Sequence, residues 1–345
     1  MKFNIAQIYF FFFILGMSSC HQTATITRPD VSDIDIQIKV ARFDQEFSAL
    51  DTSAILKKNN YWQQQYGIFY TDFMTEMLEV GHPKDSLQLA SILKKVLVKK
   101  DFIDLSQAVA TTFPNLERQE KELTQAFKYI TYYYPEYVLP RFISFVGGFS
   151  FQTISGEDYL GIGLDMFLGA DSEFYPALVQ SIPRYISRRF TPENIAPRVV
   201  ETVLRQELFP QHNGDVNMLQ HMIYNGKVLY AMDVILEDVA DSLKIGYTAQ
   251  QMAWIERYQE DVWAWFIQEN LLYSTDYMGI QKYFSEAPFT RELGGNNESA
   301  PKLGSYIGWM IVRKFMERNP ELDLKQLLAK EDAQDILEGS KFRGK

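Results

Sequence analysis

The side chains that could carry chemistry are few and scattered. The four histidines, His21, His82, His212 and His221, contain no pair spaced i and i+4. A zinc-peptidase helix needs that spacing, with Glu beside the first His, to aim two imidazoles at one ion. His212 and His221 lie either side of Gly214 and would need other ligands brought to them by the fold, so no metal is expected. Glu256 and Glu260 are one helical turn apart and share a face, as paired carboxylates in acid–base hydrolysis can, though such pairs on helices are usually solvated. The run Asn225–Asp233 is more compact: Lys227 and Tyr230 are three apart, and Gly226 leaves room for a close helix contact. A lysine in so apolar a run needs a partner if it is buried. Glu256, Glu260 or Asp165 could supply the charge, which makes Lys227, Tyr230, Glu256, Glu260 and Asp165 a candidate polar cluster for structure or binding. Gly161-Ile162-Gly163 lacks the third glycine of a dinucleotide loop. Neither a G-x-S-x-G elbow nor a P-loop occurs. No catalytic residue and no cofactor is assigned.

One thiol remains. Cys20 is the only cysteine, which excludes an intrachain disulfide and a thiolate-built metal site. Lys2 precedes Ile8–Met17, an uncharged apolar stretch that matches the core of a secretory signal. It is shorter than the ~18 residues that suggest a membrane span. Met17-Ser18-Ser19-Cys20 then resembles the lipobox of bacterial lipoproteins: small residues fit a peptidase cleft, and the thiol takes the diacylglycerol. Residues 1–19 read as a signal peptide and 20–31 as a lipidated tether, held firmly to a membrane by several acyl chains. His21 stands where an Asp often marks retention at the inner membrane, which favours the outer membrane, facing the periplasm, without excluding the inner one.

The remainder must fold around these groups. With 44 acids against 34 bases the chain carries net charge -10, so it offers no global sign of nucleic-acid binding. Hydrophobic residues at 46%, including 25 Phe and 20 Tyr, are enough for a large core. Ile34, Ile36, Ile38 and Val40 alternate with polar residues and predict a half-buried strand. The runs 141–146, 149–154 and 159–168 read as further strands, set among glycines. Helical spacing marks 66–78, 89–97 and 123–130 before them, and 192–209, 217–236, 248–272 and 301–319 after. Lys94, Lys95, Lys99 and Lys100 form a solvated face or a phospholipid contact. The expectation is an α+β fold, mainly α, with a small sheet in the N-terminal half and a helical C-terminal half. It forms one globular domain over 32–325, with 326–345 as a fraying tail.

Several segments together resemble the gliding-motility lipoprotein family GldB of Bacteroidetes. They are Tyr159–Gly169, Asp171 with Phe174-Tyr175, Ile223–Tyr230, Gly246-Tyr247-Thr248, Trp254 with Glu260 and Trp263, Leu271–Thr275, and Gly304–Arg313. The resemblance implies an envelope lipoprotein required for gliding and linked to type IX secretion, with partners in that machinery and no established catalytic residues. The family is also distantly similar to zincin-like metallopeptidases. On that likeness Gln206-Glu207-Leu208-Phe209-Pro210 stands where H-E-x-x-H would lie. Glu207 keeps the base position, Gln206 and Pro210 replace the histidines, and Asn225 replaces an acidic third ligand. An amide and a proline cannot substitute for imidazole and carboxylate at zinc, so the resemblance implies a dead site on a zincin-like scaffold. A non-catalytic accessory or assembly role is then expected, with a cryptic metallopeptidase or another envelope hydrolase as the alternative.

Overall fold

The computed structural model describes residues 28–211, 216–293 and 298–345. Cys20, His21, His212, the signal segment and most of the tether lie outside the described residues. The chain is mainly helical with one four-stranded sheet in its N-terminal half.

The sheet runs β1 (Val40–Ala41), β2 (Arg141–Phe145), β4 (Tyr159–Gly163), β3 (Thr153–Ser155) in spatial order. β1, β2 and β4 are parallel, and β3 is antiparallel to β4. The expected strand over 34–40 shortens to two paired residues, although its side chains alternate as anticipated: Ile38 and Val40 are buried, Gln37 and Lys39 exposed. Here the backbone N–H groups of Ile38 and Val40 donate to Thr124 Oγ1 (2.9 Å) and Glu120 Oε1 (3.0 Å). Helix side chains take the bonds a longer ladder would have used. The strand expected over 149–154 begins only at Thr153, because Gly148 and Phe149 both have positive φ and form a turn. The strand expected over 159–168 stops at Gly163, and Leu164–Phe167 curls into a 3-10 turn.

Both faces of the sheet are covered. Ile143, Phe145 and Tyr159 point to an aromatic core made by the first helices. Phe142, Leu160 and Ile162 point the other way, into the main core. This is the period-two alternation of a sheet buried on both sides. The aromatic core is built by α1 (Phe43–Ser48), α2 (Ile55–Tyr66), α3 (Ile68–Asp72) with its π-turn continuation Phe73–Met77, and α4 (Ser86–Leu97). In it Phe43 meets Trp62, Tyr66, Phe69 and Phe73 edge to face. The lysines at 94, 95, 99 and 100 are all exposed. α5 (Lys100–Thr112) and α6 (Glu117–Tyr133) line the opposite face.

After α7 (Arg184–Ser187) comes α8 (Ile195–Val203), which continues as a π turn, Leu204–Leu208. α9 (Met218–Ile235) starts at a capping box in which Asn217 and Gln220 bond reciprocally. From Gly226 to Ile235 every residue is buried, so this half of α9 has no solvated face. α10 (Asp241–Ile245) and α11 (Ala249–Gln268) follow, the latter capped by Thr248 as the sequence suggests. α12 (Tyr277–Ile280) leads to α13 (Leu303–Arg318), which packs across α9. At the crossing an added Cβ on Gly226 would lie 2.3 Å from the Gly308 carbonyl oxygen, and one on Gly308 would lie 1.9 Å from that of Met222. The room expected at Gly226 is therefore filled by backbone.

Residues 326–345 are not a fraying tail. α14 (Leu324–Ala329) and α15 (Ala333–Ser340) are capped by Asp323 and Asp332 and bury Leu327, Leu328 and Ile336, and Phe342 just after α15 is buried too. Each helix is too short for its apolar spacing to stand out against the basic residues around it.

Candidate functional site

A groove of about 630 Å³ opens between the end of the π turn, α9 and the C-terminal helices. Leu208, Phe209, Ile223, Tyr224, Leu328 and Ala333 give it apolar wall. Lys227 sits on the α9 side, where its residue is only 4% exposed. Its Nζ donates to the carbonyls of Leu328 (3.3 Å) and Lys330, and lies 5.4 Å from the centre of the Phe209 ring. Burial, aided by nearby Lys330, lowers the Lys227 pKa to about 8.

None of the three acids expected to partner Lys227 does so. Glu256 is exposed, and Glu260 pairs at the surface with Lys345 (3.0 Å). Asp165 is fully buried beside the sheet, where it accepts from the Phe149 N–H (2.6 Å). Main-chain carbonyls exposed where α14 ends take the role assigned to carboxylates, because a helix terminus leaves such oxygens unpaired. The five-residue polar cluster is therefore not one cluster. Tyr230 is buried, and burial together with Asp233 raises its pKa to about 12.

The charge centre that α9 does carry is one residue group further on. Asp233 has no exposed surface. Its Oδ1 accepts from Lys244 Nζ (2.8 Å) and Arg313 Nη2 (2.7 Å), and its Oδ2 from Arg313 Nε (2.7 Å) and Trp309 Nε1 (2.7 Å). Arg313 also reaches Asp241 (2.7 and 2.9 Å) and lies 3.9 Å over the Trp309 ring. This saturates the carboxylate and ties α9, α10 and α13 together. The sequence reading had Arg313 at the end of a family-like segment and Asp233 at the end of the compact run Asn225–Asp233, and gave neither a role. The signal was present: Asp233 shares α9 with a single other charge, Lys227, and Arg313 follows the uncharged run Leu303–Val312.

A second network gathers cations. Glu201 bonds Arg198 (2.5 Å) and Arg205 (2.9 Å), while Glu286 bonds Arg189 (2.6 Å) and Lys302 (2.6 Å). Lys302 is placed by a left-handed backbone (φ 50°) just before α13. Despite its partial burial Glu201 is held well below the usual carboxylate range, since four cations surround it.

The four positions of the zincin-like alignment do not share one focus. Gln206 is exposed. Glu207 accepts from Tyr137 Oη (2.7 Å) and Ser155 Oγ (2.6 Å) on the sheet side. Asn225 accepts from Arg205 (3.0 Å) and donates to the His221 carbonyl (2.9 Å). Pro210 lines the groove beside Lys227.

Comparison with protein families decides the kinship. The model of the family described as gliding motility protein GldB, a lipoprotein family, matches residues 25–344. The chain belongs to the GldB family. No curated protein matches it, and no solved structure does. The GldB match runs through α14 and α15, so the family unit includes the helices whose carbonyls hold Lys227. It also covers the groove and both charge networks. No helix among the described residues is long and apolar enough to cross a membrane. The lipoprotein designation of the GldB family associates the chain with the cell envelope by another route.

Proposed function

We propose that this GldB-family chain is an envelope lipoprotein anchored through Cys20, at the outer membrane facing the periplasm, and a non-catalytic assembly component of the gliding and type IX secretion machinery. What carries the reading is how the polar groups are spent. Glu207 is taken by Tyr137 and Ser155, Asn225 by Arg205, and Asp233 by Arg313, Lys244 and Trp309. Groups saturated by structural bonds suit a rigid scaffold that holds partners, and fold alone does not dictate chemistry. The alternative, a cryptic zincin-like metallopeptidase or another hydrolase of the envelope, needs Glu207 as its base.

Two substitutions in a gliding bacterium separate the readings. Cys20→Ala should abolish labelling by a fatty-acid analogue and stop gliding. Glu207→Gln should glide like wild type at normal protein abundance. A Glu207→Gln protein that is abundant but non-gliding would favour the hydrolase, and undiminished labelling of Cys20→Ala would remove the anchor from the proposal.

A further inference from the structure

The groove beside α9 has a feature that structural packing does not use. Lys227 is almost wholly buried, yet no carboxylate among the described residues lies within 4 Å of its Nζ. Buried cations ordinarily sit against an acid, because removing charge from water is costly without a counter-charge. In the same chain Lys244 meets Asp233 at 2.8 Å and Lys302 meets Glu286 at 2.6 Å. Among the described residues, the Lys227 ammonium meets two carbonyl oxygens and the Phe209 ring. An ammonium carries three donors, so two carbonyls leave it one.

The space next to it is ligand-sized. A volume of about 630 Å³ lies within the range of small-molecule pockets, which pair apolar walls with a few fixed polar groups. Phe209 and Tyr224 stack at 5.2 Å and present a flat aromatic wall. Leu208, Ile223, Leu328 and Ala333 give aliphatic surface. Lys325 also lines the groove and adds positive charge, though it pairs with Glu136 at 3.1 Å, and Glu331 is the acid in the lining.

We infer that this groove binds an apolar ligand ending in a carboxylate, its body against Phe209, Tyr224, Ile223 and Leu328 and its carboxylate on Lys227. The Lys227 ammonium gives the charged end a charge-assisted hydrogen bond, and the apolar walls bury the rest. A fatty acid and the C-terminus of a peptide share this chemistry. The inference is independent of the anchor and of the assembly role, since it concerns a site on the folded domain.

The test is calorimetric titration of the full-length protein in phospholipid nanodiscs, with empty nanodiscs as the blank. Octanoate and N-acetyl-Leu-Phe represent the two sources; octanol and N-acetyl-Leu-Phe-amide are their neutral counterparts. At least one acid should bind ten-fold or more tighter than its neutral counterpart, and which acid does so identifies the source. Lys227→Met should erase that preference while leaving the neutral compound's affinity within two-fold. Ala329→Trp, at an exposed position lining the groove, should block acid and neutral compound alike and leave the melting temperature unchanged. Equal affinity for acid and neutral compound overturns the inference, as does absence of binding by both acids or undiminished binding to Ala329→Trp. Should Lys227→Met fail to fold, the acid preference of the wild type and the effect of Ala329→Trp decide it by themselves.

Discussion

Asp165 shows how far one residue's surroundings can move its chemistry. Its carboxyl is fully buried, and burial raises its pKa to about 6 against backbone N–H bonds from Phe149, Gly147 and Gly148 that pull the other way. One of its oxygens, Oδ1, has no partner among the described residues. A folded-state pKa above the unfolded one means that the native state holds the proton more tightly. Its stabilising effect is thus complete below about pH 4 and fades as pH rises to about 6. The shift of about two units corresponds to roughly 3 kcal/mol lost across that window. Asp165→Asn keeps the shape without the titration. Its stability relative to wild type, measured by denaturant unfolding, should therefore improve by that order between pH 4 and pH 7. A difference that stays flat across this range would mean that Asp165 is ionised at both ends. Neither this residue's burial nor its distance from Lys227 was legible in the sequence. Spacing along a helix reports which residues share a face, whereas Asp165 and Lys227 sit on different elements and meet different partners. The sequence showed that Lys227, among apolar neighbours on one helix, would need a partner if buried, but left open whether it is buried or lies along the helix surface.

At the scale of elements, the α9–α13 pair sets the geometry of everything near the groove. Gly226 and Gly308 let the two backbones touch, which brings Arg313 and Trp309 onto Asp233. Gly308→Ala would press a methyl group into the Met222 carbonyl, a main-chain atom that cannot rotate away. The helices must separate, and overpacking of this kind costs about 1–3 kcal/mol. A thermal melt should show the loss, and an unchanged melting temperature would mean the helices are not so close. Removing the charge beneath them should also destabilise: Asp233→Ala takes from Lys244 and Arg313 their fully buried partner and leaves them with the partly exposed Asp241, and breaking a buried pair costs roughly 3–5 kcal/mol. Long helices such as α9 and α11 were readable from their apolar spacing, and α11 also from its cap, Thr248. The short ones were not: α14 and α15 looked like a loose end because six or eight residues show too little periodicity. What makes them helices is the core they cover, through Leu328, Ile336 and Phe342.

For the whole molecule the question is whether the aromatic core of the first helices and the larger helical core behave as one unit. They share no boundary of loose chain. They share strands: β2 sends Phe145 to one side and Phe142 to the other, and β4 does the same with Tyr159 and Leu160. Unfolding the first helices would expose Phe145 and Tyr159 on a sheet whose other face is still buried, leaving two large aromatic side chains in water. Fully burying a single side chain of this size is worth about 1.5–3 kcal/mol, so the half-unfolded state is penalised beyond the loss of its own core. The two cores should therefore unfold together. The sequence supplies its own reporters, since Trp62 is the only tryptophan in the aromatic core and Trp309 is buried in the other. Fluorescence of the wild type minus that of Trp62→Phe follows the first core, and fluorescence of Trp62→Phe follows the second. Both should change at the same denaturant concentration, together with the far-ultraviolet circular dichroism. If the Trp62 signal is lost at clearly lower denaturant, the sheet is a seam between two separately stable lobes and the single-unit view is wrong.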